Sequence, residues 1–244
     1  MKLPRFALIG LLIALAFAAP ASAQTISIDL GEGTGLTERI VQLVALMTVL
    51  SLAPSILIMV TSFVRIVVVL SLLRTALGLQ QSPPNSVLIS LALFMTAFIM
   101  APTFTTAYQK GVEPYLNQDL AFEDAFTETT KPFQTFMLKH VREKDLSLFI
   151  DMAGGEKPKT AQDTPLTTLV PAFMISELKH AFEIGFLLFV PFLVIDMVIA
   201  SVLMSMGMMM LPPVIISLPF KLIFFVLVDG WHLVAGSLVQ SFAR

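Results

Sequence analysis

Cysteine is absent from all 244 residues, which excludes a disulfide framework, thiol catalysis and any cysteine-ligated metal. Charge is scarce. Only 13% of residues are Asp, Glu, Lys or Arg, about half the ~25% of an ordinary soluble domain. No basic stripe interleaved with aromatics occurs, and a formal net charge of −2 makes no case for nucleic acid. There is no phosphate-cradling Gly-rich loop or Walker pattern, so the energy for any work must come from elsewhere, such as a partner ATPase or the proton gradient. The three histidines, His140, His180 and His232, are scattered, and neither paired aspartates nor a Ser/His pair marks an intramembrane hydrolase. The expectation is a protein that is not an enzyme and needs no cofactor.

What the chain does have is hydrophobicity. Hydrophobic residues make up 56% and the mean hydropathy is +0.86, which predicts an all-α integral membrane protein of long kinked helices and helical hairpins with a small polar helical insert. Five regions follow from the composition. Residues 1–23 read as a bacterial signal peptide: a basic head Met1–Arg5, an apolar run Phe6–Ala18, and Ala21-Ser-Ala23 before Gln24, placing cleavage between Ala23 and Gln24. Residues 24–39 form an N-terminal segment, 40–109 a first apolar helical region, 110–163 the polar insert, and 164–244 a C-terminal kinked helix and hairpin.

Four stretches are apolar enough to span: Ile40–Val60, Val87–Tyr108, Ile184–Met204 and Val214–Ala235. In Thr61–Gln81, Arg65 and Arg74 bracket too few apolar residues to cross, which predicts a helix at or inside the protein. Arg65 and Arg74 would lie on the cytoplasmic side by the positive-inside rule, which puts the N-terminus and the insert in the periplasm. Asn85, after a proline pair, is an expected N-cap, and Leu88, Leu91, Met95 and Phe98 an expected core face.

The few charges in apolar surroundings are the candidate functional residues. Arg65 and Arg74 are nine residues apart, ~180° around a helix, and serve either as surface anchors or in subunit packing. Glu177, His180 and Glu183, flanked by Lys179, form a polar seam toward a neighbouring subunit or an aqueous path. Glu-x-x-His is half of a di-iron carboxylate motif, but no second copy exists in the chain, so no metal is expected. His140 and Arg142–Asp145 read as a solvated helix face. Counted from a turn centred between Met209 and Met210, Asp196 and Lys221 are within two residues of the same distance, so their depths differ by ~3 Å. An intramembrane charge pair follows, within the hairpin or between subunits, with a proton relay at Asp196 as the alternative. Met204, Met206, Met208, Met209 and Met210 surround Gly207, and such adaptable thioethers suit either a deformable seal or a gap-filling core turn.

Two segments, Pro171-Ala-Phe-Met-Ile-Ser-Glu-Leu-Lys-His-Ala-Phe-Glu-Ile-Gly-Phe186 and Pro219-Phe-Lys-Leu-Ile-Phe-Phe-Val-Leu-Val-Asp-Gly-Trp231, resemble the signatures of the FliP family of flagellar export-gate proteins. Phe63-Val-Arg65, Leu73–Gln81 and Pro83-Pro-Asn85 are similar to that family too. The resemblance implies a core subunit of the type III export gate in the bacterial inner membrane, at the centre of the flagellar basal body. It implies a pentamer-like ring joined by FliQ and FliR, with FlhA and FlhB in the wider apparatus and FliO as an assembly helper. Unfolded rod, hook and filament proteins would be its passengers and membrane lipid its surroundings. Met208, Met209 and Met210 would match the family's pore gasket, with Met204 and Met206 as additional lining. The resemblance also implies apolar helices held inside a complex raised toward the periplasm. A signal peptide favours the flagellar branch over the gate subunit of a virulence secretion system. A small-solute transporter is the remaining alternative, although the chain shows no repeated halves.

Overall fold

The computed structural model describes residues 36–154, 158, 160–208 and 210–243. The expected signal peptide, with its Ala23–Gln24 junction, and Met209 lie outside the described residues. The chain divides into two units at Val49 and Leu50. In the first, residues 36–49 are the opening turns of helix α1 (Leu36–Met59), an apolar run that includes Ile40, Val44 and Met47.

The second unit begins with the rest of α1. It continues through α2 (Phe63–Ala76), α3 (Asn85–Ala107), a wide π-type turn (Tyr108–Val112), α4 (Glu113–Leu116), α5 (Phe122–His140) and α6 (Glu143–Ala153). After a short 3₁₀ turn at Ala161–Asp163 come α7 (Leu166–Ser205), α8 (Pro213–Leu227) and α9 (Gly230–Ala243). The described residues contain no strand, and the protein is an all-α membrane protein.

Helix α2 is the centre of the second unit. Ile66, Val69, Leu70 and Leu73 repeat at helical spacing, and each is at most 1% exposed. Against them pack Leu88, Ala92 and Met95 of α3, Ala181 and Phe192 of α7, Phe225 of α8 and Leu238 of α9. The helix ends in a Schellman motif: Gly78, at φ 78°, donates to Thr75 O, and Leu79 donates to Arg74 O. Glycine tolerates that positive φ because it has no Cβ. A smaller cluster of Met137, Leu169 and Phe173 joins the insert to the start of α7.

Several expectations are corrected. The inward face of α3 is Leu88, Ala92, Met95 and Ile99, whereas Phe98 is 71% exposed. From Leu88, eleven residues return the helix to within ~20° of its starting face, but ten leave it ~80° away. Asn85 is the first helical residue, and Pro84 holds the cap position. The fourth apolar stretch is not one straight helix: α8 and α9 meet at 63°. Asp229 there takes φ 50°, and a Cβ on Gly230 would lie 2.2 Å from the Phe225 ring. The other three candidate spans are Ile40–Met59, Asn85–Leu116 and the 40-residue α7. At ~1.5 Å per residue α7 is about 60 Å long, twice a bilayer's hydrocarbon core.

Candidate functional site

The arms of the C-terminal hairpin are α7 and α8, and its tip is built by backbone geometry. Gly207, at φ 73°, donates to Met204 O, and Met208 donates to Leu203 O, a second Schellman motif ending α7. Pro212 caps α8 and Pro213 occupies its first turn, where the missing N–H costs nothing. Around this tip Met204, Met206, Met208 and Met210 face outward. Met204, Met206 and Met208 are 57%, 65% and 41% exposed, and Met210 is 98% exposed. They form no part of the core.

Behind the tip, charges cross between the arms. Lys221 Nζ donates to Asp196 Oδ2 at 2.6 Å and to the backbone oxygen of Ala76, at the end of α2, at 3.3 Å. Ser217, one helical turn before Lys221, donates to the other carboxylate oxygen at 2.5 Å. Ser217 and Lys221 are buried, whereas the Asp196 side chain retains 30% of its exposure. One ion pair therefore joins α2, α7 and α8 within a single chain.

A second pair lies at the other end of α2. Arg65 grips Glu177 with both prongs of its guanidinium, Nε to Oε2 at 2.9 Å and Nη2 to Oε1. The same guanidinium sits 3.9 Å over the ring of Phe242 and donates to the Ser241 hydroxyl at 3.1 Å. Arg65 is 4% and Glu177 0% exposed, so neither is a surface anchor or part of an exposed seam. Three-residue spacing carries His180 and Glu183 round to the exterior, where Glu183 accepts from Lys179 at 3.1 Å and lies 3.4 Å from His180. Arg74 turns locally, donating to Pro83 O and Asn85 Oδ1.

At the insert, Arg142 and Asp145 are joined by two hydrogen bonds of 2.7 and 2.8 Å, and Ser176 of α7 donates to Asp145 at 2.7 Å. Burial pushes the Asp145 carboxyl up, but Arg142 and Ser176 outweigh it and hold the group below the ordinary carboxylate value. His140 lies between the backbone oxygens of Phe136 and Phe242. Burial lowers its pKa, with the nearby positive charges of Arg65 and Lys139 adding to the effect, and this outweighs the two backbone bonds. These residues couple insert to helix, which the expectation of a solvated face missed. Ser217, Ser241, Phe242 and Ser176 also escaped sequence reasoning. Only Ser217 carried a local signal, its four-residue spacing from Lys221.

Among the described residues no three His, Asp or Glu side chains are placed to hold a metal. The architecture is that of a membrane protein whose central helix is fastened at both ends by ion pairs and whose long hairpin ends in exposed thioethers. Residues 46–238 match the model of the FliP family. The chain is 66% identical over 246 residues to the flagellar biosynthetic protein FliP of Caulobacter vibrioides, covering 99% of this chain and 92% of that protein. It is 59% identical over 202 residues to the protein of the same name from Bacillus subtilis, covering 83% and 91%. The Agrobacterium fabrum protein of that name is 48% identical over 240 residues, covering 96% and 98%. The chain belongs to the FliP family.

Proposed function

We propose that this chain is a core subunit of the flagellar protein-export gate, several copies of which form a channel for unfolded rod, hook and filament proteins across the bacterial inner membrane. The observation that carries the proposal is the tip of the hairpin: exposed methionines on a turn set by Gly207 and Pro212, above an ion pair that holds the arms together. Repeated around an axis, Met208, Met209 and Met210 close the channel as a flexible gasket, with Met204 and Met206 lining its approach. The insert faces the periplasm, and the pairs at Arg65 and Lys221 hold each subunit's shape. The expected partners are FliQ and FliR in the gate, FlhA and FlhB in the surrounding apparatus, and FliO during assembly. No catalytic role is assigned to any residue.

Native mass spectrometry tests this reading. Expressed alone, the chain should form a multi-copy ring, and co-expression with FliQ and FliR should add their masses. A stable monomer that ignores both would remove the symmetry on which the gasket rests.

A further inference from the structure

A groove of about 570 Å³ lies between the end of α3 and helix α5, away from the hairpin tip. The two helices run antiparallel: Phe104 meets Phe133 edge-on at 5.5 Å, while Gly111, beyond the end of α3, comes up against Thr129 and Ala125 earlier in α5. Each wall repeats at helical spacing, but the chemistry differs. The α3 wall is Ile99, Pro102 and Thr106, leading to Lys110 beyond the helix end. The α5 wall carries Lys131, Thr135 and Lys139 on one face. Phe136, stacked on Phe242 with ring centres 6.1 Å apart, closes one end.

The charges in this groove do not balance. Glu128 is the only acid lining it and is already paired with Lys131. Lys110 and Lys139 have no carboxylate partner among the described residues. Because α5 doubles back along α3, Lys139 stands beside a helix that is apolar enough to cross a membrane. Both ammoniums are exposed and so open to an anion in the groove, and their long stems can lie along apolar surface. From the groove, the α3 surface continues through Phe98 and Phe94, four residues apart in one row with Pro102 and 71% and 77% exposed. A ligand that satisfies both features carries a negative headgroup and a long apolar tail.

We propose that this groove binds an anionic phospholipid, its phosphate held by the lysine row and an acyl chain laid along Pro102, Phe98 and Phe94. The site is independent of the hairpin and does not rest on the gate function. It ties the insert to the membrane surface through a lipid instead of a protein contact.

The test is titration of the full-length purified protein with phosphatidylglycerol and, separately, phosphatidylcholine, counting bound lipids by native mass spectrometry. Phosphatidylglycerol should bind the more tightly. Lys110→Gln and Lys139→Gln should each lower its affinity about fivefold, at the attraction typical of one basic side chain near an anionic lipid, and leave phosphatidylcholine unchanged. Lys144→Gln, on exposed α6 and outside the groove, should have no effect. Should Lys139→Gln disturb folding, as read by circular dichroism, Lys139→Arg keeps the charge and should retain the lipid. Equal binding of the two lipids would overturn the proposal, as would an equal loss in Lys144→Gln. So would full displacement by millimolar inorganic phosphate, which marks a free-anion site. Phosphatidylglycerol binding to the oligomer that is insensitive to Lys110 and Lys139 would show the groove covered by a second copy, and would also overturn it.

Discussion

Lys221 and Asp196 stand on opposite arms of one hairpin with Nζ and Oδ2 2.6 Å apart, yet their burial is unequal: the lysine side chain is 4% exposed and the aspartate 30%. The partners are therefore not equivalent. Asp196→Ala strands a buried ammonium, and losing one member of a buried pair typically costs ~3–5 kcal/mol. Lys221→Met leaves a carboxylate that the protein encloses less tightly and that keeps its bond from Ser217. We expect Asp196→Ala to lower the thermal midpoint in detergent more than Lys221→Met does. The double variant should be more stable than the sum of the two losses predicts. Additive losses would mean that the pair contributes nothing as a pair.

The Arg65 pair is stricter. Glu177 has no exposure, and Arg65 satisfies it with two parallel bonds while covering the ring of Phe242. Lysine offers a point charge without the planar fork. Arg65→Lys should therefore recover little of the stability lost in Arg65→Met, which is expected to be ~3–5 kcal/mol. Folded yield and thermal midpoint check this.

Gly207 has nothing within 4 Å of where a Cβ would stand, so only its φ of 73° opposes a side chain. Alanine there should cost ~1–2 kcal/mol, the usual penalty for left-handed backbone. Gly236 is equally open but helical, and Gly236→Ala should be neutral or stabilising by up to ~1 kcal/mol. The contrast between the two variants in one melting experiment isolates the turn.

The insert should loosen in two acid steps. His140 has a folded pKa below its ordinary 6.5, so it prefers to be neutral when folded. Its contribution is complete above pH 6.5 and falls away below it, toward the lower folded value. Asp145 also has a folded pKa below its ordinary 3.8; its contribution is complete above that value and is lost as pH falls through the folded one. Asp145→Asn should remove the lower step and leave the upper. Hydrogen exchange of α6 as a function of pH reads both.

Local pattern carries some of this structure and not the rest. The apolar stripe of α2 follows helical period, and a hairpin's equal rise on both arms brings Asp196 and Lys221 to one depth by counting. Arg65 and Glu177 are 112 residues apart, and no period links them; a still longer separation, 176 residues for Ser241, hides Ser241 and Phe242 from Arg65. Glu177, His180 and Glu183 read as one seam because three-residue spacing looks continuous, but each step of ~300° rotates the helix by 60°, enough to bury the first and expose the last. The 63° bend before α9 interrupts a stretch apolar enough to read as one span, and only Asp229-Gly230 marks it.

The central claim is that the hairpin tips of several copies seal a channel, and the most direct measurement is small-ion leak through membranes of cells carrying the assembled complex. Replacing Met208, Met209 and Met210 together with alanine should raise the leak while the mass of the purified complex stays the same. If the complex assembles at full mass with all three methionines removed and the membrane remains as tight as with the unaltered chain, the methionine turn is not the seal.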